Sequence, residues 1–284
     1  MRQSKTLYFT AALICILLFW YGAGNLLADI FSKLLINEPA PRPGAEGFFY
    51  SLRTYLVLNI GFLALLSGTL AAAKFILHFS IKDFITDTPH VRVRRGLIAC
   101  FIWILLLSLF TILESLFSPG QLMLTLNVQS LLLFLPAAII MVGIQATSEE
   151  LLFRTFLGRW VGIYSDRKLP AALISGLLFM SVHLFNPEIS LYSNSWAIYL
   201  FYFLFGFILM YFSLKDGGYE LAVGIHVGNN LFSSILVNYE GSVMPTPSLF
   251  TAQSDSPIPA LIFLILSSVI IYFVLLRHKK ADDS

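Results

Sequence analysis

Eight stretches of this chain are long and apolar enough to cross a bilayer, and that pattern restricts its fold more than any other feature. They lie at about 7–30, 54–78, 96–118, 131–160, 170–186, 196–214, 219–238 and 257–277. About 20 apolar residues in a helix cover a hydrocarbon core of ~30 Å. In lipid every backbone N–H and C=O must be paired internally, so runs of this length fold as helices. The charged fraction agrees: 12% of the 284 residues, against about 25% in a typical soluble domain. The expected fold is therefore all-α, a polytopic membrane helical bundle with about eight transmembrane helices and the lipid bilayer as its first partner. A net charge of +2 is too small to argue for a nucleic-acid partner. The two cysteines, Cys15 and Cys100, both lie in apolar runs, which excludes a disulfide framework.

The basic residues orient the bundle. With the N-terminus inside, 13 of the 18 lysines and arginines fall on inner segments and only Lys33, Arg42 and Arg53 on outer ones. Cytoplasmic loops carry such an excess. Both termini are thus expected in the cytoplasm, in a multi-pass integral membrane protein. The chain divides into N-terminal helices (1–129), a core (130–238), and a loop with the C-terminal helix (239–284). The connection 239–256 is rich in Ser, Pro and Thr and reads as a loop.

Charges inside a span are expensive and mark function by default. The fourth span carries Ser148-Glu149-Glu150-Leu151-Leu152-Phe153-Arg154. On a helix Glu150 and Arg154 are four apart and share a face, while Glu149 is turned by about 100°. One carboxylate can therefore anchor on the arginine while the other is available for chemistry. Counting from the inner turn near 164–168, Glu149 and His183 reach a similar depth, and His226 and Asn230 lie on the seventh span. Each has an ordinary structural use: an ion pair locking helices, a core histidine, or interhelical hydrogen bonds. Their coincidence in type and depth points instead to one site, with Glu149, His183 and His226 converging on a cavity.

A carboxylate beside an imidazole can hold and deprotonate water. His226 and Asn230, four apart on one face, can both donate to a developing oxyanion. Two histidines and a glutamate can equally hold a zinc ion with an open water position, the set being Glu149, His183 and His226. Spacing does not decide between a divalent metal and a metal-free glutamate mechanism, because no HExxH motif is present. Ser148 and Ser181 lack a nucleophile motif. Helical spacing makes Glu149 the general base, with Glu150–Arg154 mainly structural.

At these residues the chain resembles a known family. Glu149-Glu150-x-x-x-Arg154, Phe179-x-x-x-His183 and His226-x-x-x-Asn230 are similar to the three ordered motifs of the CAAX prenyl protease type II family. Its bacterial branch is the CPBP family, also called Abi or bacteriocin-processing proteins. The surroundings Glu150-Leu-Leu-Phe-Arg154 and Ile225-His226-Val-Gly-Asn229-Asn230 are similar too. The resemblance covers about 130–238 and implies an intramembrane endopeptidase acting on membrane-associated proteins or peptides. It assigns water activation to Glu149 and His183, and oxyanion stabilisation to His226 and Asn230. Rival readings are a non-proteolytic scaffold or bacteriocin-immunity protein of the same fold, and a proton-coupled transporter. A transporter would show repeated halves, and no repeat is visible.

Overall fold

The structure is a computed structural model that describes residues 2–36, 47–186, 189–190, 194–240, 242, 244, 246–253 and 256–277. Helices dominate. Helix α1 is Arg2–Leu35, α2 Phe48–Ile76, α4 Val93–Phe117, α5 Val128–Gly162, α7 Ser195–Asp216 and α9 Ile258–Leu276. Among the described residues these six are the helices long and apolar enough to cross a membrane by length and composition. Between them lie the short α3 (Ile81–Ile85), α6 (Lys168–Val182) and α8 (Glu220–Leu231), which continues through a wider turn, Phe232–Leu236. The two remaining expected spans are thus α6 and α8. Both are shorter than the other six: α6 stops before His183, and α8 runs past Asn229 and Asn230 to Leu236.

The expected loop at 239–256 is partly a strand. Phe250–Ala252 (β3) pairs antiparallel with Leu122–Leu124 (β1) and parallel with Val237–Tyr239 (β2), in the order β1-β3-β2. Its Ser/Pro-rich flanks hid a three-residue segment that pairs with β1 from the α4–α5 connection and with β2 at the start of its own connection.

Small residues bring the helices close enough to fix the site. A Cβ on Gly176 of α6 would lie 2.7 Å from the Phe203 carbonyl oxygen of α7, so only glycine allows that approach. The same holds between α8 and α4: a Cβ on Gly228 would lie 2.9 Å from the Cys100 carbonyl oxygen. At one end of the bundle an ion cluster clamps α4, α7 and α8 together. Arg92 Nη2 lies 2.7 Å from Asp216 Oδ2 and 2.8 Å from Glu220 Oε2, and Arg95 Nη2 lies 2.6 Å from Asp216 Oδ1. Asp216 is fully buried. Helix α7 ends beside it because Gly217 adopts the left-handed conformation (φ 66°), which glycine enters without steric cost. Arg159 of α5 holds the α3 loop through the Asp83 and Phe84 carbonyls and Asp87 Oδ1.

Candidate active site

Helix α5 runs between the other elements and buries Ser148, Glu149, Glu150 and Arg154. From Leu151 to Phe156 its turns widen to the i→i+5 pattern, a feature often found at functional sites. Widened turns recur in four other helices here, so the one beside Glu150 is not diagnostic.

Adjacent on the helix, the two glutamates face different surroundings. Glu150 points away from the cavity. Its Oε2 lies 2.9 Å from Arg154 Nε, and both side chains are fully buried. The pair is an ion contact and not an aligned hydrogen bond, since neither atom meets hydrogen-bond geometry. The guanidinium carbon of Arg154 also sits 4.7 Å from the centre of the Phe179 ring, where the aromatic face attracts a cation. The other Glu150 oxygen, Oε1, lies 2.7 Å from His226 Nδ1. An ionised carboxylate only accepts, so Nδ1 carries the proton and donates. That fixes the tautomer and the ring orientation. His226 Nε2 then faces Glu149, with Oε2 3.9 Å away, too far for a direct hydrogen bond but spanned by one water. Phe205 and Phe179 flank the imidazole edge-on at 5.2 and 6.0 Å.

His183 follows the last turn of α6. Its Nδ1 lies 2.7 Å from the Phe179 carbonyl oxygen. A carbonyl accepts, so Nδ1 donates and Nε2 is left as an acceptor. The ring stacks on Tyr202 of α7 at 4.2 Å. Helix α6 has 15 residues, about 22 Å of rise. That is shorter than the hydrocarbon core, so its end falls within the membrane layer.

Glu149, His183, His226 and Asn230 all line one cavity of about 590 Å³, whereas Glu150 and Arg154 lie behind its wall. Asn230 is held by a chain of bonds that sequence reasoning missed. Trp103 Nε1 donates to Asn229 Oδ1 at 3.4 Å, and Asn229 Nδ2 donates to Asn230 Oδ1 at 3.2 Å. The acceptor of Asn230 is thereby engaged, which leaves its Nδ2 hydrogens to donate elsewhere. The only available signal was the adjacent Asn pair at the end of an apolar span.

The donor set does not fit a zinc site. Among the described residues no three His, Cys, Asp or Glu side chains come together as a metal-binding group, and a catalytic zinc ordinarily has three protein ligands. Glu149 Oε2 and His226 Nε2 face one another across 3.9 Å, with no third such side chain gathered beside them among the described residues.

Fold and site together define a multi-pass helical membrane protein with a buried acid–histidine centre. Residues 128–232 match the family described as Type II CAAX prenyl endopeptidase Rce1-like. The resemblance carried by the three motifs is therefore borne out for the core of the chain, which is similar to the Rce1-like type II CAAX endopeptidases. The match ends at Phe232 and leaves α1, α2 and α4 outside it. Almost the whole chain is similar to the uncharacterized protein YyaK of Bacillus subtilis (strain 168). The identity is 29% over 286 residues, covering 98% of this chain and 93% of that protein. No solved structure matches.

Proposed function

We propose that this protein is an intramembrane endopeptidase that hydrolyses peptide bonds of membrane-associated proteins or peptides with a water activated by Glu149. The observation that carries the reading is the single cavity lined by Glu149, His183, His226 and Asn230 from three helices. Water held between Glu149 and the imidazoles gives a proton to the Glu149 carboxylate, and its oxygen attacks the scissile carbonyl carbon. The carbonyl π pair moves onto oxygen. Asn230 Nδ2 donates to that oxyanion. His226, oriented by the Glu150 carboxylate, donates as well when its Nε2 carries a proton. When the tetrahedral intermediate collapses, the C–N bond breaks and Glu149 returns its proton to the leaving amine. His183, bound through Nδ1 to a carbonyl, can accept from the same water through Nε2 and hold it in line. The protein works within the bacterial plasma membrane, with both termini cytoplasmic.

The test is cleavage of apolar peptides by the detergent-purified full chain, alongside thermal melting. Glu149→Gln keeps shape but cannot take the proton, so cleavage should fall about 10²–10⁴-fold with an unchanged melt. If wild type cleaves nothing across such a peptide set, or Glu149→Gln cleaves normally, the scaffold and transporter readings gain and this one fails.

A further inference from the structure

The catalytic cavity extends well beyond the acid–histidine centre, and a carboxylate stands in its far wall. Glu114 of α4 lines the same cavity as Glu149 and His226. It is half-buried, and its carboxylate has no ion-pair or hydrogen-bond partner among the described residues. A carboxylate withdrawn from water without a partner is costly, so its retention there calls for an occupant. No lysine or arginine lines this cavity among the described residues. Its charged wall groups are Glu149 and Glu114, with two histidines. Along the same stretch of chain the wall offers Thr111, Ser115, Ser118 and Gln121, polar but neutral, with Leu107 and Phe110. Such a surface can solvate a cation and offers nothing to neutralise the carboxylate from within.

The register between helices places Glu114 relative to the reacting centre. Helices α4 and α8 run side by side, with Gly228 against the Cys100 carbonyl and Asn229 bonded to Trp103. His226 is thus level with about residue 99, and Glu114 lies about 15 residues further along α4. At 1.5 Å per residue that is roughly 22 Å. An extended peptide covers ~3.3 Å per residue, so this distance corresponds to about six or seven residues.

We propose that Glu114 is the specificity-determining residue of this cavity, binding a lysine or arginine side chain about six or seven residues from the bond that is cut. The assignment rests on the protease reading for its register, but its binding preference can be measured without any cleavage. The probes are N-acetylated, leucine- and alanine-rich peptides bearing one lysine, with glutamine or glutamate in its place as controls. In the full chain carrying Glu149→Gln, which removes the other carboxylate, the lysine peptide should bind about tenfold tighter than the glutamine peptide, the scale of one charge-assisted contact. Adding Glu114→Gln should bring that ratio to about one, and Glu114→Lys should turn the preference towards the glutamate peptide. In wild type, moving the lysine along the peptide should move the cut with it. Equal binding of the lysine and glutamine peptides in the chain with Glu114 intact overturns the proposal, with no dependence on how a Glu114 variant folds. A cut that ignores the lysine position overturns the register. A lysine preference without any cleavage leaves the subsite standing and sinks the protease reading instead. Cleavage by wild type without the preference does the reverse.

Discussion

His226 Nδ1 lies 2.7 Å from Glu150 Oε1, on the side of the imidazole turned away from the cavity. Helical spacing made Glu150 the partner of Arg154, and it is, but the same carboxylate also orients the histidine. A ligand or catalytic histidine is commonly fixed in this way through its second nitrogen. In the proposed mechanism Glu150 is a positioning residue, and Arg154 is its counter-charge.

Removing either member of the Glu150–Arg154 pair should destabilise the fold by roughly 3–5 kcal/mol, because a buried charge is left uncompensated. Arg154→Met with Glu150→Gln should recover much of that loss, since both charges leave together. Thermal melting of the two single variants and the double variant checks this. A double variant whose loss equals the sum of the singles would mean that the two groups are not coupled. The recovered protein should still cleave poorly, because a neutral glutamine amide orients the His226 ring less firmly than the carboxylate does.

The all-helical bundle, and the gathering of polar side chains at one cavity, were readable for a simple physical reason. Charged and imidazole groups are rare in apolar helices, so Glu149, Glu150, Arg154, His183 and His226 stood out. What they touch was not readable. The His226–Glu150 contact depends on how α8 rotates against α4, which the close approach at Gly228 and Cys100 decides. The Tyr202 ring under His183 is one of many aromatics on α7, and nothing in its local pattern separates it from its neighbours. Glu114 stands near the end of an apolar span, and a sequence shows depth along one helix but not which helices enclose a cavity.

The Trp103–Asn229–Asn230 chain predicts a graded series. Asn230→Ala deletes an oxyanion donor and should lower kcat by about 10²–10³-fold. Asn229→Ala leaves that donor present but frees its amide to rotate, so the loss should be smaller. Trp103→Phe removes one neutral hydrogen bond two steps away and should cost less again, about 0.5–1.5 kcal/mol of orientation at most. Steady-state kinetics on one peptide substrate gives the order. Asn229→Ala slower than Asn230→Ala would remove Asn230 from the oxyanion role.

Orientation in the membrane has a direct chemical test. In a chain with Cys15 and Cys100 replaced, Ser4→Cys and Ser284→Cys should react with a membrane-impermeant thiol reagent only from the cytoplasmic side. Thr125→Cys, exposed next to β1, should react from the opposite side. The expectation follows from the excess of basic residues on the segments placed inside and from an even number of crossings. Labelling of the two termini from opposite sides would show that α6 or α8 does not cross, since these are the short helices of the bundle.

Metal dependence separates two chemistries that the spacing of Glu149, His183 and His226 left open. A zinc ion bonds to nitrogen at about 2.0–2.1 Å and to carboxylate oxygen at about 2.0–2.2 Å. Glu149 Oε2 and His226 Nε2, 3.9 Å apart, could both reach one ion, but a third protein ligand is not gathered among the described residues. To supply it, the His183 Nε2 would have to be brought to the ion, with its Nδ1 bond to the Phe179 carbonyl as the hinge. A glutamate-only mechanism needs no such movement. Peptide cleavage by the purified chain should therefore survive prolonged chelation, and elemental analysis of active protein should find no stoichiometric metal. Glu150→Gln should lower kcat by disturbing His226 while leaving that metal content unchanged. If chelation abolishes cleavage and zinc alone restores it, the water is activated by a metal, and Glu149 and His226 are its ligands.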